Sequence, residues 1–293
     1  MTDRQRTGLR TARAGSASRR RAGGPLLAAG TAGLVLCVCA TGCSGSGAAA
    51  EDGRAADPVT TLRESPAALL RAGTSEARTS MEMATGGTRV TIRGEGAYDF
   101  RRRLGQLTVI LPPDPAGADA HLPITELLAP GALFMKNRGA GVPPDKWVRV
   151  DTATLSDGNL VTGGATDPLA AAEVLRGTRT ATYLGRTEVA GTAVRHYRGT
   201  ADLALAARHA SPAGAAVLRA AAKGFATADV PFDAYLDDQG RIRKLRQRFS
   251  FVNGQHAGTV AVCSTTLLYA FGRPVTVSLP HAGDIYAGRI AER

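Results

Sequence analysis

From Thr88 onward the chain alternates apolar and polar residues with the two-residue period of half-buried strands. In "TRVTIRGEG", Val90 and Ile92 alternate with Arg89, Thr91 and Arg93; in "LGQLTVILP", Leu107, Val109 and Leu111 share one side. "ALFMKN" and "KWVRVD" read as two more strands joined by the turn-rich "RGAGVPPD". "TATYLGRTEVAG" and "TAVRHYRGTADL" form an antiparallel pair around Gly191. The stretch from Val230 to Phe271 gives three long strands, with turns at Asp238-Gln239-Gly240 and Asn253-Gly254, and "VTVSLP" reads as a last short strand.

Helical periodicity interrupts this alternation. Ser65-Pro66 reads as an N-cap and first position, followed by Leu69, Leu70, Gly73 and Ala77 on one face. Asp167 and Pro168 start a second helix that Gly177 stops, with Leu169, Ala172 and Leu175 facing inward. Ser211-Pro212 starts a third, with Val217, Leu218, Ala221 and Phe225 inward. About ten strands in sequential hairpins, with helices inserted among them, predict an α+β fold with a large antiparallel sheet and not alternating βαβ units. No internal repeat and no second linker appear, so residues 64–293 are expected to form a single domain.

The first 63 residues follow a different logic. Seven arginines against one aspartate precede Gly42, and "PLLAAGTAGLVLCVCA", Pro25 to Ala40, is continuously apolar but too short for a spanning helix. Basic start, apolar middle and small-residue exit are the pattern of a signal peptide over residues 1–42, with a loose twin-arginine match at Ser18 to Arg21. The exit "Ala40-Thr41-Gly42-Cys43" resembles a bacterial lipobox, with alanine where leucine is usual. Lipidation of Cys43 by diacylglycerol and palmitate-type acyl groups would hold the protein on the outer face of the plasma membrane. Cleavage at "Ala48-Ala49-Ala50-Glu51", giving a secreted protein, and a retained apolar anchor are the alternatives. Residues 43–63, small and polar without periodicity, read as a flexible tether.

Under either cleavage Cys37 and Cys39 leave with the leader, and with no histidine nearby the cluster is not a metal site. Cys263 is then the one thiol of the folded part and reads as a small buried residue. The net charge of +11 is concentrated in the leader, and no basic block interleaved with aromatics follows, which argues against nucleic acid. The arginine-rich run of Arg241, Arg243, Lys244, Arg246 and Arg248 reads as the wet face of a strand, with an acidic partner or anionic headgroups as the alternative.

No signature of catalysis is present: no G-x-S-x-G, H-E-x-x-H or phosphate-binding loop. His121, His196, His209, His256 and His281 are scattered without ligand spacing, Asp237-Asp238 sits on a turn, and Trp147 reads as core or sheet edge. The expectation is a protein that is not an enzyme and holds no cofactor and no metal. Aromatics make up 5% of the chain, so a large sheet filled mainly by Ala, Val and Leu leaves room for an apolar cavity, against the alternative of an ordinary packed core.

"TYLGRTEVAGTAVRHYRGTADL" is similar, through Gly185, Glu188, Val189, Gly191, His196 and Tyr197, to a stretch of the LppX/LprG-type bacterial lipoproteins, with one position shifted. "KWVRVD", "DPLAAAEVL" and "VPFDAYLDDQGRIRKL" resemble further segments of that family in the same order, over about residues 65–280. The resemblance implies a LolA/LolB-like fold: a half-barrel antiparallel sheet with helices on its concave side, enclosing a hydrophobic cavity. It implies a monomer of the cell envelope, anchored by its N-terminal lipid, that binds or carries a lipid or glycolipid without catalysis. The alternative on the same fold is a sensor or scaffold binding another envelope protein. Strand alternation nominates Val90, Ile92, Leu107, Val109, Leu133, Met135, Phe249 and Phe251 as the cavity lining.

Overall fold

Asp57, the first described residue, caps a helix: its carboxylate accepts from Thr60 N at 2.9 Å, and Pro58 takes the first helical position. The computed structural model describes residues 57–85, 88–112, 122–161, 165–252 and 259–288, all within one unit, Asp52–Arg293. The signal peptide, Cys43 and most of the tether lie outside the described residues. Helix α1, Pro58–Ala72, starts inside the stretch expected to be tether, and Pro66 sits within it, not at its start. It ends at Gly73 with φ +87, so Ala77 belongs to a strand and not to the expected helical face.

Eleven strands follow: β1 (Thr74–Thr85), β2 (Thr88–Asp99), β3 (Leu104–Ile110), β4 (Ile124–Ala129), β5 (Ala132–Lys136), β6 (Val148–Asp151), β7 (Thr178–Val189), β8 (Thr192–Asp202), β9 (Asp229–Leu236), β10 (Ile242–Val252) and β11 (Thr259–Tyr269). They form one open sheet in the order β6-β5-β4-β3-β2-β1-β11-β10-β9-β8-β7, every pair antiparallel. β1 joins the two halves by pairing with β11, so the N-terminal meander and the C-terminal hairpins become a single curved surface. The fold is α+β with a curved antiparallel sheet, as the periodicity predicts.

Three further helices lie on the inner face: α2 (Pro168–Val174), α3 (Leu203–His209) and α4 (Pro212–Gly224). Asp167, Asp202 and Ser211 cap them through side-chain acceptors. With α1 they pack against one another and mainly against β7, β8 and β10. Leu62, Leu69, Leu169, Leu203 and Leu218 from these helices, with Leu175 just after α2, enter one core with the inner faces of both sheet halves.

The other half of the inner face has no helix as its main cover. The segment from Thr152 to Asp167 runs over it without regular structure among its described residues, and Leu160, Val161 and Ala165 point into the core. Asp157 organises this segment by accepting from Asn159 N at 3.1 Å and Val161 N at 2.8 Å. Ala165 descends onto β2, where a Cβ at Gly94 would lie 3.1 Å from that of Ala165 and 2.6 Å from Thr79 Oγ1. Glycine there permits the close approach.

The C-terminal segment crosses the opposite, outer face. It leaves β11 with Gly272 N donating to Thr74 O, and reaches the β6 edge, where Trp147 and Ile285 form a parallel bridge. Val275 and Val277 pack there with Leu127, Ala132 and Phe134 in a second, smaller core. "VTVSLP" is therefore a strap and not the expected strand. Its valines bury against side chains, and its only pairing to the sheet edge is made further on, at Ile285.

Candidate functional site

The inner face of β1 to β5 is an apolar surface without a helix as its main cover, and the ladder registers show how its side chains line up. Thr79, Gly94, Val109 and Ile124 form one row across β1 to β4; Ala77, Gly96, Leu107, Glu126 and Met135 form the next, across β1 to β5. Leu128 and Leu133 face each other one step further. Leu107, Val109, Ile124, Leu128 and Leu133 are all buried, while their outward neighbours on β3 are exposed.

Of the eight residues nominated from alternation, Leu107, Val109, Leu133, Met135 and Phe249 are buried in the main core, and Ile92 and Phe251 pack against it half-buried. Val90 is half-buried on β2, further toward the β1–β2 turn. Phe251 and Phe249 meet Phe225 from α4's end at ring-centroid distances of 4.6 and 4.9 Å, so those two serve the helix-covered half. The structure thus separates the eight into two groups.

Polar groups interrupt the apolar face at a few points. Thr166 Oγ1 lies 2.6 Å from Ser264 Oγ, and Gln247 Nε2 donates to Ala171 O at 3.0 Å. Glu126 is different: it is 0% exposed, and neither carboxyl oxygen has a hydrogen-bond partner. Burial pushes its pKa up to about 8, and Arg138 opposes this only in part. Glu126 is therefore largely protonated near neutrality. Sequence reading missed it, although an acid in the apolar register between Ile124 and Leu128 is a visible signal.

A small pocket of about 50 Å³ lies at the foot of this half, where Leu128, Leu169 and Val217 meet the polar Tyr98, Arg103, Asn159, Asp167 and Glu173. Tyr98 Oη donates to Asp167 at 3.4 Å, and Arg103 Nη1 donates to Ser211 Oγ at 2.6 Å. Burial raises both the Asp167 carboxyl and, well above its ordinary range, the Tyr98 phenol. These groups mainly answer one another. Tyr98 holds the start of α2 against β2, and Arg103 holds the start of α4 against the β2–β3 turn.

At the other end of the sheet, Ile110, Leu122 and Val252 are exposed at 59, 68 and 71% beside the ends of β3, β4 and β10. The remaining candidates fall on the outer face or the edge. His196 Nε2 and Arg198 Nε each contact Asp233 Oδ1 at 2.9 Å, and Tyr235 stacks on His196. Burial would push Asp233 up, but these two hydrogen bonds outweigh it and hold it below the usual carboxylate range. Arg241 and Arg243 lie over Phe271, and Arg241 pairs with Asp237, which accepts the turn's backbone N–H groups. Cys263 is half-buried on the outer face, with Arg246 Nε donating to Sγ at 2.9 Å, and is not the buried residue expected. Trp147 lies at the sheet edge, while His121 and His256 lie outside the described residues. Among the described residues no cluster of histidine, cysteine or acidic side chains suits a metal ion, and no helix is long and apolar enough to cross a membrane.

No protein-family model matches the chain, and no curated protein matches it in sequence. Solved structures are similar in fold. Lipoprotein LppX of Mycobacterium tuberculosis is 9% identical, with 76% of this chain and all of that one covered at a TM-score of 0.44. LprF of Mycobacterium bovis is 15% identical, with 76% and 96% covered at 0.38. A LolA superfamily protein of Nitrosomonas europaea is 9% identical, with 74% and 96% covered at 0.33. At these identities and scores the likenesses carry no functional argument, and the site's own geometry must supply it.

Proposed function

We propose that this chain is an exported, lipid-anchored protein of the cell envelope that binds an acyl lipid on the inner face of its sheet, without catalysis. One observation carries the reading. The β1–β5 half of the inner face presents Met81, Leu107, Val109, Ile124, Leu128, Leu133 and Met135, yet its main cover is an irregular segment, with α2 and α4 reaching it beside Leu128. Segments with few regular hydrogen bonds open at lower free energy than helices packed by long apolar rows. Displacing Leu160, Val161 and Ala165 would expose a broad apolar trough, which suits an acyl chain at ~25 cal/mol per Å² of buried surface.

The anchor is Cys43, and Cys43→Ala is expected to move the protein from the membrane to the soluble fraction. For the ligand, organic extraction of the full chain purified from membranes is expected to yield bound acyl lipid in near-stoichiometric amount. Lipid-free protein would overturn the reading and favour the same fold as a module that binds another envelope protein.

A further inference from the structure

Among the described residues Glu126 is the ionisable side chain of the inner face with both polar atoms buried and unpartnered. It stands at mid-strand in β4, flanked by Ile124 and Leu128, with Leu107 of β3 and Met135 of β5 directly opposite. It is fully buried, and both carboxyl oxygens lack partners. A carboxyl in such surroundings keeps its proton and presents one O–H donor and one carbonyl acceptor. A protein that needed only a packed core would be as stable, or more so, with an apolar side chain of similar shape here. Thr79 Oγ1 is a second unpartnered polar atom on the same face, in the adjacent ladder row. Three strand spacings, roughly 14 Å, separate β1 from β4, so a long molecule lying across the strands can meet both.

We propose that Glu126 is the polar anchor for a lipid held on the inner face, and that it selects an uncharged acyl lipid bearing a free hydroxyl group. This rests on the inner face being the lipid-binding surface. A hydroxyl donates to the acid's carbonyl oxygen and accepts from its O–H, so one ligand group satisfies both Glu126 oxygens. A fatty-acid carboxylate or a phosphate would bring an uncompensated negative charge into an apolar setting, and an ester alone leaves the carbonyl oxygen unanswered. Specificity here follows the rule that a buried site built to bond a hydroxyl rejects the analogue that lacks it.

The test equilibrates the full chain, purified in detergent, with an equimolar mixture of 1,2-dioleoylglycerol and its 3-acetyl ester, and counts the lipid retained after gel filtration by mass spectrometry. Wild type is expected to prefer the free-hydroxyl lipid by about tenfold. Glu126→Gln, whose amide still donates and accepts, should keep most of that preference. Glu126→Leu should lose it while still retaining lipid, with Glu126→Met as a second apolar variant and circular dichroism reporting the fold. Equal preference in wild type and the apolar variants would overturn the role of Glu126 and leave the lipid-binding surface standing. Retention of neither lipid by wild type would overturn both.

Discussion

Thr166 Oγ1 and Ser264 Oγ, both buried, lie 2.6 Å apart and join the irregular segment before α2 to the inner face of β11. Thr166 also donates to Leu160 O at 3.1 Å. A hydroxyl has one hydrogen, so Ser264 is the donor of the shared bond. The pair is thus directional: Ser264 points its proton into the segment that covers the trough.

That direction predicts unequal costs. Ser264→Ala removes a donor and leaves Thr166 its own partner, costing about 0.5–1 kcal/mol. Thr166→Val strands both the Ser264 hydroxyl and the Leu160 carbonyl, costing about 2 kcal/mol. Chemical denaturation measures both, and a broad-specificity protease should cut residues 152–166 faster in Thr166→Val. Equal costs would contradict the assigned direction.

Glu126 predicts a pH dependence of stability. Its folded pKa is raised to about 8 from the ordinary 4.5 of a solvated glutamate, so the folded state holds the proton more tightly than the unfolded chain. Stability is greatest below about pH 4.5, falls between there and pH 8, and levels off above. The slope within that window is at most about 1.4 kcal/mol per pH unit. Its nearest strand partners, Leu107 and Met135, are uncharged, and Arg138 is the charged group that acts on it. Subtracting the melting curve of Glu126→Gln isolates the effect, and a difference independent of pH would refute it.

Asp233 predicts the opposite sign. Its carboxyl is held low by His196 and Arg198, so its contribution is present above its unfolded pKa and is lost as pH falls through the folded one. Asp233→Asn should cost about 1 kcal/mol at pH 7 and less at pH 3. Denaturant midpoints at the two pH values measure this.

The C-terminal strap predicts a stability effect separate from binding. Val277 is buried with Leu127 and Phe134 on the outer face. Val277→Ala should cost about 2 kcal/mol and leave bound lipid unchanged, because the inner face is untouched. Loss of lipid in a folded Val277→Ala would contradict the assignment of the ligand to the inner face.

The sheet was legible in the sequence wherever alternation ran long, as in β2, β3, β7 and β9 to β11, and the caps of α2 and α4 lay where Asp167-Pro168 and Ser211-Pro212 put them. α1 was misplaced because Ser65-Pro66 imitates a helix start; Asp57-Pro58, at the edge of a low-complexity stretch, is the real one. β1 was hidden by "TSEARTSMEMAT", whose inner positions Ser75, Ala77 and Thr79 are small or polar. β4 is six residues long and breaks its own pattern at Glu126, so the residue that obscured the strand is the one that distinguishes the candidate site. The strap at Val275 to Val277 shows strand-like alternation, yet its partner is a patch of side chains, a relation that no local pattern encodes.

Photo-crosslinking with an acyl lipid that carries a diazirine along its chain tests the central claim most directly. The account predicts adducts on inner-face residues of β3 to β5, with Leu107, Val109, Leu133 and Met135 labelled in the membrane-anchored protein. Adducts confined to the outer face or the strap, or none above background, would contradict it.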